Sequence, residues 1–418
     1  MPEDSSTRRP LRIGLFTDTY DPQINGIITS INSLRDALRR RGHEVYVFAP
    51  RAGHSTVDEP SVFRQRSVRY AFQPEYQVAS PLSRSALRQA REWKLDIVHA
   101  HSEMSMGVVA SRIAKRLNLP HVFTFHVMLE DFRQYFLWGL FPLGMARDYL
   151  AALYEDPDFI IAPSGKVQVY LRHTLGIDND IEVIPTGLDL GLFDASAFSK
   201  EDRARWRAGN GLGVDDVVMV SVGRISEEKN LDVALRSMPE LLKRHPRLRY
   251  LIVGDGPSRP GLVALARQLG IEREVVFTGF VPWEKIPGVY RSSDLLVFLS
   301  CSESQGLVTI EAMASGLPVI EKSDGARPSL AEPGGNSMAF DDEEGFREAV
   351  ERLLSDKTLM KDCSRRSVEI SSRFSLAEFG ERVEGLYYRA LESHRERDPY
   401  GAWQFIARYA SNRLDRFL

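Results

Sequence analysis

Short apolar runs alternate with amphipathic stretches along most of the chain. Runs rich in Val, Ile, Leu and Phe at residues 11–16, 44–49, 96–100, 121–125, 159–162 and 182–185 read as buried strands. Between them, apolar positions recur at helical spacing over 27–41, 83–93 and 105–117. The rhythm resumes with strands at 217–222, 249–253, 275–278, 295–299 and 318–321, and helices over 231–244, 260–269 and 343–354. Such alternation is the signature of βαβ units and a parallel sheet. The stretch 193–214 is charged and poorly periodic, and it reads as the break between two rhythms. The expected architecture is therefore α/β, two Rossmann-like domains facing each other across a ligand cleft. Residues 1–195 form the first domain, 196–385 the second, and 386–418 a helical tail that packs back on the first domain or on a membrane.

Size and charge narrow the function classes. A chain of 418 residues exceeds what one core supports, which agrees with two domains. With 54 basic against 57 acidic residues there is no polycationic signal for nucleic acid. No leader-like apolar segment opens the chain, and no run reaches the ~18–20 apolar residues of a membrane span. Two cysteines, Cys301 and Cys363, offer neither metal spacing nor a disulfide framework, which fits a reducing cytoplasm. Cys301 reads as a small residue at a strand end rather than a nucleophile, having no His in its loop. The charge is uneven: residues 35–116 hold 15 Lys and Arg against 8 Asp and Glu. That excess suits an anionic bilayer surface or is an ordinary solvated face.

Candidate chemistry collects where strands end. After the run 295–299 comes a polar loop with Glu303, then a small-residue helix from Gly306 to the Gly316 and Pro318 breakers. Glu311 follows about one turn into that helix, and backbone amides at Gln305, Gly306 and Leu307 open it, an anion site that requires no metal. Two carboxylates beside a phosphate cradle suit a sugar nucleotide; the plainer alternative is that both merely cap the helix. Arg224 lies just past the strand 217–222 and Lys229 just before the next helix. Both can stabilise a leaving diphosphate, the alternative being ion pairs with Glu227 or Glu228. In the first half, Gly26 opens a helix after the first strand, and His126 closes the strand 121–125. The turn from Gly254 to Pro257 reads as structural. No G-x-G-x-x-G is present, so a nicotinamide or flavin cofactor is not indicated.

With those residues in hand, the chain resembles the retaining, nucleotide-sugar-dependent glycosyltransferases of GT-B architecture in family four, from about Leu11 to Leu391. The resemblance rests on the Glu303/Glu311 and Arg224/Lys229 pairs and on the turn from Ile184 to Asp189. Within the family it is similar to bacterial α-glucosyltransferases acting on diacylglycerol, through Phe16–Tyr20 with Gln23–Gly26, Thr124–His126 with Glu130 and Asp131, and Ser302–Gly306. One departure is the segment from Asp324 to Gly335, which lacks the usual Gly-to-Glu register.

The resemblance implies a role for each matching position. Arg224 and Lys229 hold the donor diphosphate with the amides of Gly26, Gly306 and Leu307. Gln305 and the loop at Phe280 and Val281 complete the donor site, the latter at the base. Glu311 binds the ribose, Glu303 the transferred sugar, and His126 the sugar near its anomeric centre. Glu130 and Asp131 stand on the acceptor side. Transfer proceeds with retention, without a metal or other cofactor. The donor expected is UDP-glucose and the acceptor diacylglycerol; GDP-mannose with a glycolipid, a soluble sugar acceptor, and a non-catalytic sensor or scaffold stay open. Residues 132–150, dense in large apolar side chains, could line a lipid pocket or form a core helix. After Pro399, the tail places Trp403, Ala407, Ala410, Leu414 and Phe417 on one helical face. These features suggest an enzyme on the cytoplasmic side of the cell membrane, peripherally attached to an anionic lipid surface. They indicate no nucleic acid and no obligate protein partner.

Overall fold

The computed structural model describes residues 9–21, 25–51, 59–69, 77–80, 84–126, 128, 143–194, 196, 198–300, 303–323, 332 and 334–394. Glu130, Asp131, Cys301, most of 324–333 and the tail face beyond Pro399 lie outside them.

Two parallel sheets organise the chain. The strands of the first are β1 (Arg12–Phe16), β2 (Glu44–Pro50), β3 (Val62–Gln65), β6 (Ile97–Ala100), β7 (His121–Thr124), β8 (Phe159–Ala162) and β9 (Asp180–Val183). Between β3 and β6 a small antiparallel pair, β4 (Ser67–Arg69) and β5 (Gln77–Ala79), forms a separate ribbon. The large sheet runs β3-β2-β1-β6-β7-β8-β9. The second comprises β10 (Val217–Val222), β11 (Leu248–Val253), β12 (Val275–Gly279), β13 (Leu295–Phe298), β14 (Val319–Lys322) and β15 (Ser337–Phe340), in the order β12-β11-β10-β13-β14-β15. In each sheet the order reverses once, beside β1/β6 and beside β10/β13. At such a switch point the flanking connections leave in opposite directions, which opens a crevice beyond the carboxyl ends of the strands.

The strands are buried because both faces are covered. β6 and β7 are buried along their whole length, as the continuous apolar runs required. The sheets belong to two compact units, one from the described residues up to Pro163, Val167–Ile184 and those from Gly380 onward, the other from Ser164–Lys166 and Pro185–Phe379. The change of unit thus falls at Ile184/Pro185 and the return at Gly380, ahead of the 195/196 and 385/386 boundaries expected from periodicity. Helix Leu376–Ser393 makes that return, burying Val383, Leu386, Tyr387 and Ala390. His43 Nε2 and the Arg41 guanidinium both bond the Glu384 carboxylate within the first unit.

Two segments correct the periodicity reading. The stretch 193–214 contains a helix, Lys200–Gly209, opened by a reciprocal capping box between Ser199 and Asp202. Its inward residue is Arg207, 2% exposed. A hydrophobic pattern cannot reveal a helix whose buried anchor is a guanidinium. In the apolar stretch 132–150, the described part opens helix Leu143–Tyr154, which buries Ala146, Leu150, Leu153 and Tyr154 in the core of the first unit.

Candidate active site

The second unit assembles its site at the β10/β13 switch point. Past β10 the chain turns at Gly223, whose φ of +140° favours glycine, and exposes Arg224. The turn read as purely structural shapes this loop. A Cβ on Gly254 would stand 1.9 Å from the Gly223 carbonyl oxygen, and one on Gly256 would stand 2.3 Å from that of Ile225. Ile225 N–H donates to Asp255 O at 2.9 Å. Only glycines let the two loops press together, and Arg224 makes no ion pair among the described residues. Lys229 closes the one-turn helix Glu227–Lys229 and is followed by Asn230 in the left-handed region, φ +49°. The Asn230 amide donates to Leu299 O, 3.1 Å, at the end of β13. That bond ties the Lys229 turn to the loop carrying Glu303, and the Lys229 ammonium pairs with the Glu303 carboxylate. The expected alternatives, pairs of these cations with Glu227 or Glu228, do not form among the described residues.

Helix Leu307–Ala314 begins beside this pair. Its N-cap is Gly306, at φ +84°, with no side-chain cap bond, so neither Glu303 nor Glu311 caps it. The first turn of any helix leaves backbone N–H groups without intrahelical partners, here at Leu307 and its neighbours. The Gln305 side chain is buried and bridges Thr186, accepting from the Thr186 N–H (2.9 Å) and donating to the Thr186 carbonyl (3.1 Å). It pins the Ile184–Asp189 turn to the loop. Ser164 Oγ, donating to Ser304 O at 2.6 Å, braces the same loop.

Glu311 is 3% exposed and accepts from the Tyr290 hydroxyl at 2.7 Å. Burial pushes its carboxyl up to about 7, against the opposing pull of that bond. Tyr290 lay in no recognisable motif; its only sequence signal is a buried-type aromatic on a short helix. Phe280 follows β12 and is 63% exposed, and Val281 packs partly against the core.

The first unit builds a second constellation at the β1/β6 switch point. Asn25 caps helix Gly26–Arg40, accepting from Ile28 N–H at 3.0 Å and donating to Thr19 Oγ1 at 3.0 Å, so Gly26 opens that helix at the surface. Asp18, just past β1, accepts from Ser105 Oγ and from Met106 N–H, which supplies the missing cap of helix Ser105–Leu117. Burial raises its carboxyl to about 6 although these donors oppose it. At the carboxyl ends of β6 and β7 stand His99, within β6, and His101 and His126 past the strands, and beside them Glu103, which accepts from Tyr154 Oη at 2.8 Å. His126 is half-buried, and burial lowers its imidazole to about 4. The sequence reading singled out His126 alone; its partners His99 and His101 sit in strand-end positions where an isolated His is usually incidental.

Comparison with known proteins places this arrangement. Residues 24–192 match Glycosyltransferase Family 4, and residues 202–369 match Glycosyl transferases group 1. The alpha-monoglucosyldiacylglycerol synthase of Streptococcus pneumoniae is 30% identical over 388 residues, 92% of this chain and 87% of that protein. The D-inositol 3-phosphate glycosyltransferase of Nocardia farcinica is 33% identical over 349 residues, 80% of this chain and 76% of that one. Among solved structures, Anabaena HepE in complex with UDP-glucose superposes with a TM-score of 0.73 at 19% identity, covering 91% of this chain and all of the other.

Proposed function

The chain belongs to glycosyltransferase family 4 and is a hexosyltransferase of GT-B fold, and on that premise we propose that it moves glucose from UDP-glucose to diacylglycerol with retention of configuration. The observation that carries the donor half is the Lys229–Glu303 pair beside the open helix start at Gly306 and Leu307. A cation and amide N–H groups suit the diphosphate, and the carboxylate suits sugar hydroxyls. Arg224, exposed and without an ion partner among the described residues, adds a second cation for the diphosphate. In the reaction, the acceptor oxygen bonds to the anomeric carbon as the bond from that carbon to the diphosphate breaks. The hydroxyl proton passes to a phosphate oxygen, and the fixed cations stabilise the charge that develops there. None of these steps calls on a metal or a redox cofactor.

The lipid half rests on relatives and on charge. The streptococcal relative is named for a glucosyldiacylglycerol product. Of the arginines that make residues 35–116 basic, Arg35, Arg39 and Arg41 are engaged by Glu59 and Glu384. Arg51, Arg66, Arg69, Arg84, Arg88 and Arg91 are exposed and make no ion pair among the described residues, and Val68 beside them is 70% exposed. Such a face suits peripheral attachment to anionic lipid, at the inner side of the membrane. No helix among the described residues is long and apolar enough to cross a membrane.

The test is product formation from UDP-glucose, UDP-galactose, GDP-mannose and GDP-glucose with diacylglycerol in anionic mixed micelles. An α-glucolipid from UDP-glucose alone is the expected result. A mannolipid from GDP-mannose, or transfer only to inositol phosphate or another soluble acceptor, would overturn it.

Glu311 adds a pH prediction. Ribose hydroxyls bond a carboxylate more strongly than a carboxylic acid, which is the weaker acceptor, and this carboxyl ionises only as pH rises through about 7. UDP-glucose should therefore bind about tenfold more weakly at pH 6 than at pH 8, following the ionised fraction. Calorimetric titration of the protein against Glu311→Gln checks this, since the Gln variant should bind weakly with no such slope.

A further inference from the structure

Three imidazoles form a short ladder at the carboxyl end of β6 and β7. His99 is fully buried, with Nε2 2.7 Å from Thr124 Oγ1 and Nδ1 2.6 Å from Tyr387 Oη. Both its nitrogens are engaged by hydroxyls, so the ring cannot turn. The His101 ring lies against it, centroids 4.2 Å apart, and is 1% exposed. His101 Nδ1 then meets His126 Nε2 at 3.1 Å, the two rings 25° from parallel.

One proton lies between those two nitrogens, and the far side of His101 decides which holds it. His101 Nε2 is buried and has no hydrogen-bond partner among the described residues. If His126 donated, the neutral His101 would carry its own proton on Nε2, an orphaned buried N–H, which costs about 1–3 kcal/mol. With the proton on His101 Nδ1, the orphan is only a lone pair, the milder of the two defects. A doubly protonated His101 would again leave the Nε2–H orphaned, and burial and the neighbouring imidazoles hold it well below its ordinary range.

We propose that His101 is a positioning residue: its Nδ1–H donates to His126 Nε2 and so fixes His126 as the tautomer protonated on Nδ1. The consequence rests on the reading above, in which His126 contacts the transferred sugar. His126 then meets the sugar as a hydrogen-bond donor through Nδ1–H, and it does not serve as a base at that nitrogen. Tyr387, through His99, holds the ladder from the helix that returns to this unit. Among the described residues, the other titratable groups packed at this end of the sheet are Asp18 after β1, Glu103 after β6, Tyr149 and Tyr154 of helix Leu143–Tyr154, and Tyr170. Glu103 Oε1 faces the backbone N–H of His126, at 3.5 Å, and binds neither of its ring nitrogens.

The experiment combines nitrogen NMR on ¹⁵N-histidine protein with kinetics, His126→Gln serving to assign the His126 signals. In the unmodified enzyme, His126 should show a protonated Nδ1 and an unprotonated Nε2. His101→Phe keeps the ring volume and removes the donor. It should give a mixture of His126 tautomers, lower kcat about tenfold, the worth of one hydrogen bond, and leave the donor KM within about twofold. It should also move the acid limb of kcat to higher pH, because a donor into Nε2 opposes protonation there. His101→Asn, whose amide N–H lies near the lost Nδ1–H, should restore the tautomer and most of kcat. A proton found on His126 Nε2 in the unmodified enzyme overturns the proposal, as does a His101→Phe enzyme with unchanged kcat and pH profile. Should His101→Phe not fold, the unmodified and His101→Asn spectra decide by themselves. Full turnover by His126→Gln would instead remove the sugar-contact reading, while the tautomer still judges the His101 bond.

Discussion

Lys229→Met and Glu303→Gln each lower kcat/KM by about 10²–10³-fold, and the double variant loses far less than the product of the two. The single losses follow from the worth of one preorganised charge at a developing oxyanion or cationic sugar. The shortfall follows from the ion pair. With the donor absent, each group neutralises the other, so either substitution also frees its partner from a competing contact. Stability should hardly change, because a partly exposed pair contributes only about 0–1 kcal/mol. Thermal unfolding measured beside the kinetics separates the two effects. Additive losses, or singles within a few fold of the unmodified enzyme, would mean that the pair lies outside the chemistry.

Arg207→Met destabilises the second unit by about 3–5 kcal/mol, the scale of breaking a buried charge network. Arg207 is 2% exposed, and its guanidinium donates to the carbonyls of Ser292, Val214 and Asp216 at 2.8–3.0 Å. It also bonds Asp294 at 2.8 Å, and Asp294 in turn accepts from Val218 N–H at the head of the central strand. Methionine fills the volume but removes this donor from the three carbonyls and leaves Asp294 with one donor fewer. At about 2–4 °C per kcal/mol for a unit of this size, the melting transition should fall by roughly 10 °C. Arg203→Met, at a half-buried neighbour bonded to the same Asp294, should cost far less. Equal shifts for the two variants would show that burial of the guanidinium does not matter.

The sequence by itself determined the strand–helix rhythm and both parallel sheets, because continuous apolar runs and helical spacing are local consequences of burial, while the reaction class came from the motifs that resemble a known family. It also determined which residues are candidates at the β10/β13 end: Arg224, Lys229 and Glu303 stand in strand-to-helix connections, and Glu311 about one turn into the helix that follows. Strands β3, β4, β5 and β15 were not legible, being three or four residues long, with polar or exposed positions that give no apolar run. Helix Lys200–Gly209 was hidden for a related reason, since its buried anchor is charged. What only the tertiary structure decided is partnership between residues distant in the chain. Lys229 chose Glu303 over its neighbours Glu227 and Glu228 because Asn230 ties its turn to the end of β13. Gln305 became a brace for Thr186, and His126 gained His101 and, through it, a fixed proton. Hydrogen bonds and ion pairs are decided by distance and desolvation in three dimensions, and neither is written in a one-dimensional pattern.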